Sequence, residues 1–227
     1  MSESFRRQAL AELSKFVTAG QEPLPSDPWE YLTTATFTND EFAHFKHIEP
    51  VQPFPDAEYL EYLTRQWQGT NRLRVEKSRD MIATWWAAGV HLHAALTIPG
   101  IYIGYQSKKL LDANIFLDSR FLFMWRRIPS RFARPEAYHN RSDGIITIKH
   151  GKNPDSFIVG VPEGSEQARQ WKFAFYLWDE AGSTENQEKV WTAVRPALAG
   201  NGKLTMMSSA KGANNLFCQL GYDDVTG

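Results

Sequence analysis

The stretch "KFAFYLWDEAG", residues 172–182, ends an apolar run on two adjacent carboxylates, Asp179 and Glu180. The run from Phe173 to Trp178 is too short to cross a membrane as a helix. Its aromatic residues favour a pleated surface. Continuous apolarity without polar alternation predicts a strand covered on both faces, as in a parallel α/β sheet. Ligands in such sheets sit beyond the carboxyl ends of the strands. Two acids there suit metal binding and general-base chemistry. An acidic turn or helix N-terminus gives the same local pattern, because carboxylates are favoured there as well.

At 227 residues the chain is one large domain or a small multi-domain protein, with ample sequence for a stable core. Its 25 basic and 26 acidic residues nearly cancel, so net charge makes no case for a nucleic-acid partner; a local basic stripe remains compatible. The single cysteine, Cys218, excludes an intrachain disulfide framework and fits a reducing compartment. The opening "MSESFRRQALAELSKF" has no secretory apolar core and reads as an amphipathic helix. The most apolar stretch, Met81–Tyr105, is interrupted by His91, His93 and Pro99-Gly100. It is expected to be a helix followed by a strand and not a membrane span. A soluble, cytoplasmic protein is expected.

Working outward, strands and helices alternate. Residues 1–20 read as helical, and "QEPLPSDPWEY" and "EPVQPFPD" as proline-rich connectors around a mixed segment. Asp56–Trp67 has helical spacing and Leu73–Val75 is a short strand. Then come a helix at Thr84–Leu96, a strand at Ile101–Tyr105 and a long helix at Lys108–Arg126. Further strands are expected at Gly144–Lys149, Ser156–Val161 and Leu204–Met207, with a helix at Asn186–Leu198. The pair at 144–161, joined by "GKNPD", suggests an antiparallel insertion. The whole pattern predicts a mainly parallel α/β sheet.

"RVEKSRDMIATW", residues 74–85, lies between a strand and a helix, where a phosphate loop belongs. It does not match GxxxxGK[ST]. It does keep a cation in Lys77, a hydroxyl for a metal ion at the helix start in Thr84, and intervening amides that can cradle phosphate.

The order of the loop, the acidic strand end and a third block, "MSSAKGANNLF" (207–217), resembles the ATPase domain of large terminase subunits, the DNA-packaging motors of tailed bacteriophages. In that family the loop lysine often stands at the start of the motif, as in "KSRDM.AT" here. "GIYIGYQSKKLLDANIFLDSRFLFMW" resembles its strand–Ser–helix segment, and "YLWDEAG" its second nucleotide motif. The match spans roughly residues 50–222.

The resemblance implies a P-loop NTPase with an additional central strand and a catalytic glutamate, and Mg2+-dependent ATP hydrolysis that translocates double-stranded DNA into a procapsid. It places nucleotide on Lys77, Ser78, Arg79, Asp80, Met81, Ile82, Ala83 and Thr84. Magnesium falls to Thr84 and Asp179, and activation of the attacking water to Glu180. Ser208 and Ser209 take the coupling role. Arg79 falls near the γ-phosphate, and Arg169 reaches into a neighbouring subunit's ATP site. Implied partners are double-stranded DNA, the portal protein, the small terminase subunit and further copies of the chain on the portal. The isolated domain is expected to be monomeric, in the host cytoplasm, with no membrane partner. Residues 1–50 are expected to form a helical extension or lid and residues 51–227 the P-loop core, the family's nuclease domain being absent from this chain. The alternatives are another nucleic-acid translocase or helicase on the same core, and a nucleotide-binding assembly module with impaired catalysis.

That last alternative is motivated by Ile82, where the family commonly has glycine. A β-branched residue resists positive φ, so residue 82 is either ordinary helix or a weakened cradle. The basic run Arg120, Arg126, Arg127, Arg131, Arg134 and Arg141 reads first as a solvated helix end and loop, with DNA or a neighbouring subunit as the other reading. His44 and His47 have helical ligand spacing but lack a third ligand nearby. His91, His93, Trp85 and Trp86 are expected in or beside the core. Phe54 and Gln66 are expected to pack, with an adenine contact as the alternative.

Overall fold

The computed structural model describes residues 20–78, 81–163, 168, 170–198, 201–209 and 215–222. Strand β8, Phe175–Trp178, is buried at all four positions. It runs parallel to β4 (Tyr102–Ser107) on one side and β9 (Lys203–Ser208) on the other. Its side chains alternate between two cores. Phe175 and Leu177 join a cluster with Trp86, Leu92, Ile103 and Met207, while Tyr176 and Trp178 join one with Val161, Val190, Leu204 and Met206. Both faces are covered, which is why the sequence shows no polar alternation here.

The sheet has seven strands in the order β3-β9-β8-β4-β7-β6-β5, where β3 is Arg72–Glu76, β5 Ala137–Asn140, β6 Ile145–His150 and β7 Asn153–Pro162. The first five are parallel, and β6 and β5 close the far edge antiparallel. The hairpin expected as an insertion is therefore part of the main sheet. Its second strand, β7, pairs in parallel with β4 from Tyr102↔Phe157 to Ser107↔Pro162. The fold class is the expected one: β9 is the additional strand between β3, which leads into the lysine loop, and β8, which carries the acids.

Helix α4 (Ala83–Thr97) lies on one face of the sheet with every residue except Thr84 buried. Its outer side is covered by α1 (Pro28–Ala35), α3 (Glu58–Gly69) and a π-helical turn at Leu117–Leu122. Being enclosed all round, α4 needs no polar face. His91 and His93 sit in this core as expected, their rings bonded to the carbonyls of Ala87 (2.7 Å) and Pro25 (2.8 Å). Burial pulls the His91 pKa down to about 4, so it is neutral at physiological pH. The long helix expected at Lys108–Arg126 is three pieces, α5 (Leu110–Phe116), the π turn, and α6 (Phe123–Arg126). Helices α7 (Gln187–Ala197) and α8 (Leu216–Tyr222) complete the described chain, with α7 on the opposite face.

The segment around "PSDPWEY" is a helix and not only a connector. Asp27 caps α1 by accepting from the amides of Trp29 and Glu30, with Pro28 in its first turn. The following mixed segment is a two-stranded hairpin, β1 (Phe37–Asn39) with β2 (Val51–Pro53), enclosing the short helix α2 (Ala43–Lys46). Of the helix expected over residues 1–20, residues 1–19 lie outside the described residues. No helix among the described residues is long and apolar enough to cross a membrane.

Glycine is required at position 104 in β4 because the buried Tyr176 ring lies against it. A Cβ there would stand 2.3 Å from Tyr176 Cδ2, while the Tyr176 hydroxyl donates to Gln106 Oε1 at 2.6 Å and holds the ring in place. Gly104→Ala is expected to destabilise the protein by about 1–3 kcal/mol in urea denaturation, the usual cost of overpacking a core. An unchanged midpoint would show that the Tyr176 ring can move away.

Candidate active site

The lysine loop begins where β3 ends. The Lys77 amide donates to the Ser208 carbonyl at 2.9 Å, extending the β3–β9 ladder by one residue and tying the loop to the end of β9. On the far side of the loop, Ile82 is the N-cap residue of α4 with φ 55° and ψ 2°, in the left-handed region. Residue 82 is thus not ordinary helix: the chain adopts the turn that glycine would adopt, in a β-branched residue. The Tyr59 hydroxyl donates to the Met81 carbonyl at 3.0 Å and anchors this turn to α3.

The loop and the end of β8 converge on one ammonium group. Lys77 Nζ lies 2.9 Å from Asp179 Oδ1, 3.1 Å from Glu180 Oε1 and 2.9 Å from Thr84 Oγ1. The Thr84 hydroxyl donates to Asp179 Oδ2 at 3.2 Å. Burial by itself would lower the Lys77 pKa, but the Asp179 and then the Glu180 carboxylate outweigh it, and the pKa is raised. Lys77 is therefore fully charged. Asp179 is nearly buried, with 9% of its side chain exposed, and Glu180 is open to solvent at 52%. Asp179 Oδ1 also accepts from the Glu180 amide at 2.9 Å, stabilising a sharp turn in which Glu180 has φ 52°. Four non-glycine residues have positive φ among those described, and two of them, Ile82 and Glu180, belong to this site. Strain of this kind gathers where geometry is functionally constrained.

Lys77, Thr84 and Glu180 line a cavity of about 940 Å3. Lys77, Ser78, Met81, Ile82, Ala83, Thr84, Glu180 and Ser209 lie on its sheet side. The opposite wall is the β1–β2 hairpin, through Thr38, Asp40, Glu41, Phe42, Gln52 and Pro53. Ser208 is fully buried beside it, its hydroxyl donating to the Ser209 carbonyl at 2.9 Å. The two coupling candidates are thus in line with the lysine loop. Arg79, Asp80 and Arg169 lie outside the described residues. A hydroxyl and a carboxylate, Thr84 and Asp179, form a hard oxygen donor set of the kind that holds Mg2+.

Sequence reasoning missed two parts of this cavity. One is the hairpin wall, which carries no motif. The other is Arg120, read as part of a solvated basic run, which lines the cavity and stacks its guanidinium 4.3 Å from the centroid of the Trp85 ring. Arg127, Arg131 and Arg134 also lie on aromatic rings, at 3.7, 4.7 and 4.3 Å, so that run is largely packed onto its own surface. Phe54 and Gln66 do not line the cavity; Phe54 is buried edge-on to Trp29. Among the described residues no group of three His, Cys, Asp or Glu could hold a metal, so His44 and His47 gain no third ligand.

No family model and no curated protein matches this sequence. Solved structures do. The chain is similar to the large terminase of bacteriophage HK97 (TM-score 0.66, 14% identity) over 92% of this chain and 42% of that one. It is similar to the large terminase ATPase domain of Thermus phage P74-26 (TM-score 0.56, 17% identity) over 80% and 72%. The large terminase of a further thermophilic bacteriophage matches at TM-score 0.57 and 15% identity, over 70% of this chain and 38% of that one. The fold is that of large terminase ATPase domains.

The strain at residue 82 has a measurable sign. Ile82→Gly and Ile82→Ala lose the same packing, but only alanine still resists positive φ. The glycine variant is expected to be the more stable by about 1 kcal/mol in thermal or urea unfolding, the reverse of their order inside a helix. Alanine more stable than glycine would mean that residue 82 is right-handed in solution.

Proposed function

We propose that this chain is the ATPase portion of a large terminase subunit. It hydrolyses ATP with Mg2+ to drive double-stranded DNA into a procapsid, working with a portal protein, a small terminase subunit and further copies of itself in the host cytoplasm. The observation that carries this reading is Lys77, which joins Asp179, Glu180 and Thr84 at the parallel ends of two strands with β9 between them. The similar large terminase of the second thermophilic phage has been solved in complex with ADP.

In the proposed mechanism the triphosphate and the two carboxylates compete for one cation. Lys77 turns its ammonium to the phosphates, and the amides from Ser78 to Thr84 cradle them. This releases both acids at once. Thr84 and Asp179 would hold Mg2+, whose contribution when bound is to neutralise charge on the phosphate oxygens. Glu180, the exposed member of the pair, accepts a proton from the attacking water. Phosphoryl transfer needs positioning and charge neutralisation more than covalent chemistry, and these residues supply both. The Lys77 amide bonded to Ser208 gives a route from the phosphates to β9, which fits a coupling role for Ser208 and Ser209. Arg169 is proposed to act on a neighbouring subunit's nucleotide, with Arg79 as the γ-phosphate contact in its own. The reading as an assembly module with impaired catalysis rested on Ile82. The structure gives that residue the glycine-like turn at the cost of strain in a β-branched side chain, and phosphate release by the wild-type chain decides between the two readings.

Glu180→Gln is expected to keep nucleotide affinity and lower turnover by about 10²–10⁴-fold, since the amide retains size but cannot take the proton. Lys77→Ala is expected to weaken both affinity and turnover. Phosphate release with Mg2+, beside calorimetric titration of nucleotide, separates the two. Normal hydrolysis by Glu180→Gln would sink the assignment.

A further inference from the structure

Arg120 lines the same cavity as Lys77, and its setting differs from that of a surface arginine. It sits on the π-helical turn Leu117–Leu122 and lines the cavity. Extra-residue turns of this kind recur at functional sites. Only 22% of its side chain is exposed. The guanidinium is held over Trp85, the residue after Thr84 in α4. Its polar contacts are weak for so buried a charge. Nη2 is 3.5 Å from Glu41 Oε1, a carboxylate on the hairpin wall that is itself 66% exposed. Nη1 reaches the Ser119 carbonyl at 3.3 Å, and Nε is buried with no hydrogen-bond partner among the described residues. Burial of a donor without a partner is costly. Arg120, Lys77 and Glu180 line the same cavity.

Resting on the proposed ATPase reading, we propose that Arg120 is a phosphate-binding residue of this chain's own nucleotide site, engaging the terminal phosphate. Glu41 on the hairpin is the carboxylate that this phosphate displaces. Lys77 and Arg120 would then hold the triphosphate together, and a planar guanidinium whose Nη groups are only loosely paired suits the oxygens of a γ-phosphate. Exchange of Glu41 for phosphate also gives the hairpin wall a contact that senses whether the γ-phosphate is present.

The test is the preference for triphosphate over diphosphate, measured on the intact chain by titrating AMP-PNP and ADP with Mg2+. Arg120→Ala is expected to weaken AMP-PNP about tenfold or more and ADP by less than about threefold, the loss of a charge-assisted hydrogen bond confined to one ligand. Arg120→Lys should fall between wild type and Arg120→Ala. Glu41→Gln, at an exposed position, should tighten AMP-PNP and leave ADP unchanged. Equal weakening of both ligands by Arg120→Ala would assign Arg120 a structural role and overturn the proposal. So would unchanged binding in Arg120→Ala while Lys77→Ala weakens both ligands, which leaves the ATPase reading standing. If Arg120→Ala does not fold, Arg120→Lys and Glu41→Gln decide: an unaltered AMP-PNP/ADP ratio in both overturns it. Failure of the wild-type chain to bind either nucleotide would remove the ATPase reading and this inference together.

Discussion

The arrangement of this protein turns on one ammonium group shared by two carboxylates. Lys77 is largely buried, and a charge in that position is tolerated only when paired. Its partners lie on the turn after β8 while Lys77 itself follows β3, so the pairing requires both strands to end at the same level with β9 between them. The raised Lys77 pKa has the matching consequence for pH. Its partners favour the charged form, so the stability it contributes is complete below the unfolded lysine pKa and fades only as pH rises through the folded one. Across the neutral range the group behaves as a fixed positive charge.

The sheet makes this geometry stiff. Strand β8 buries both faces, so a one-residue shift of register would swap Phe175 and Leu177 with Tyr176 and Trp178 between two cores packed for different shapes. The buried Gln106 is bonded in place, accepting from Tyr176 and donating to the Val161 carbonyl at 3.1 Å. Of the four non-glycine residues with positive φ among those described, Ile82 and Glu180 fall on the loop and turn that leave the sheet beside Lys77. Both strained turns are held by contacts beyond the residue itself. Met81 is anchored by Tyr59, and the Glu180 amide by the Asp179 carboxylate.

The wall opposite the lysine is of another character. It is a short hairpin carrying Asp40, Glu41 and Lys46, paired within itself by a 2.7 Å Lys46–Asp40 contact and to the core by Glu41 and Arg120. Such exposed pairs contribute little to stability.

Much of this was legible in the amino-acid order alone. Continuous apolarity marked β8, the alternation of strands and helices marked a parallel sheet, and the acids after Trp178 and the lysine–threonine spacing marked the two halves of the site. These are local signals, carried by residues a few positions apart, and local chemistry decides them. The start of α1 was also written locally, in the Asp27-Pro28 cap, but was obscured by neighbouring prolines. What only the tertiary structure decided are relations between distant segments. Parallel pairing of β7 with β4 makes an expected insertion part of the main sheet. A residue that propensity disfavours is driven into the left-handed region at Ile82, because the surrounding anchors outweigh its own preference. Arg120 lines the cavity from a π turn, and nothing in a run of arginines distinguishes the one that faces inward. Periodicity reports which face of an element is buried; which other segment buries it is set by packing of the whole chain.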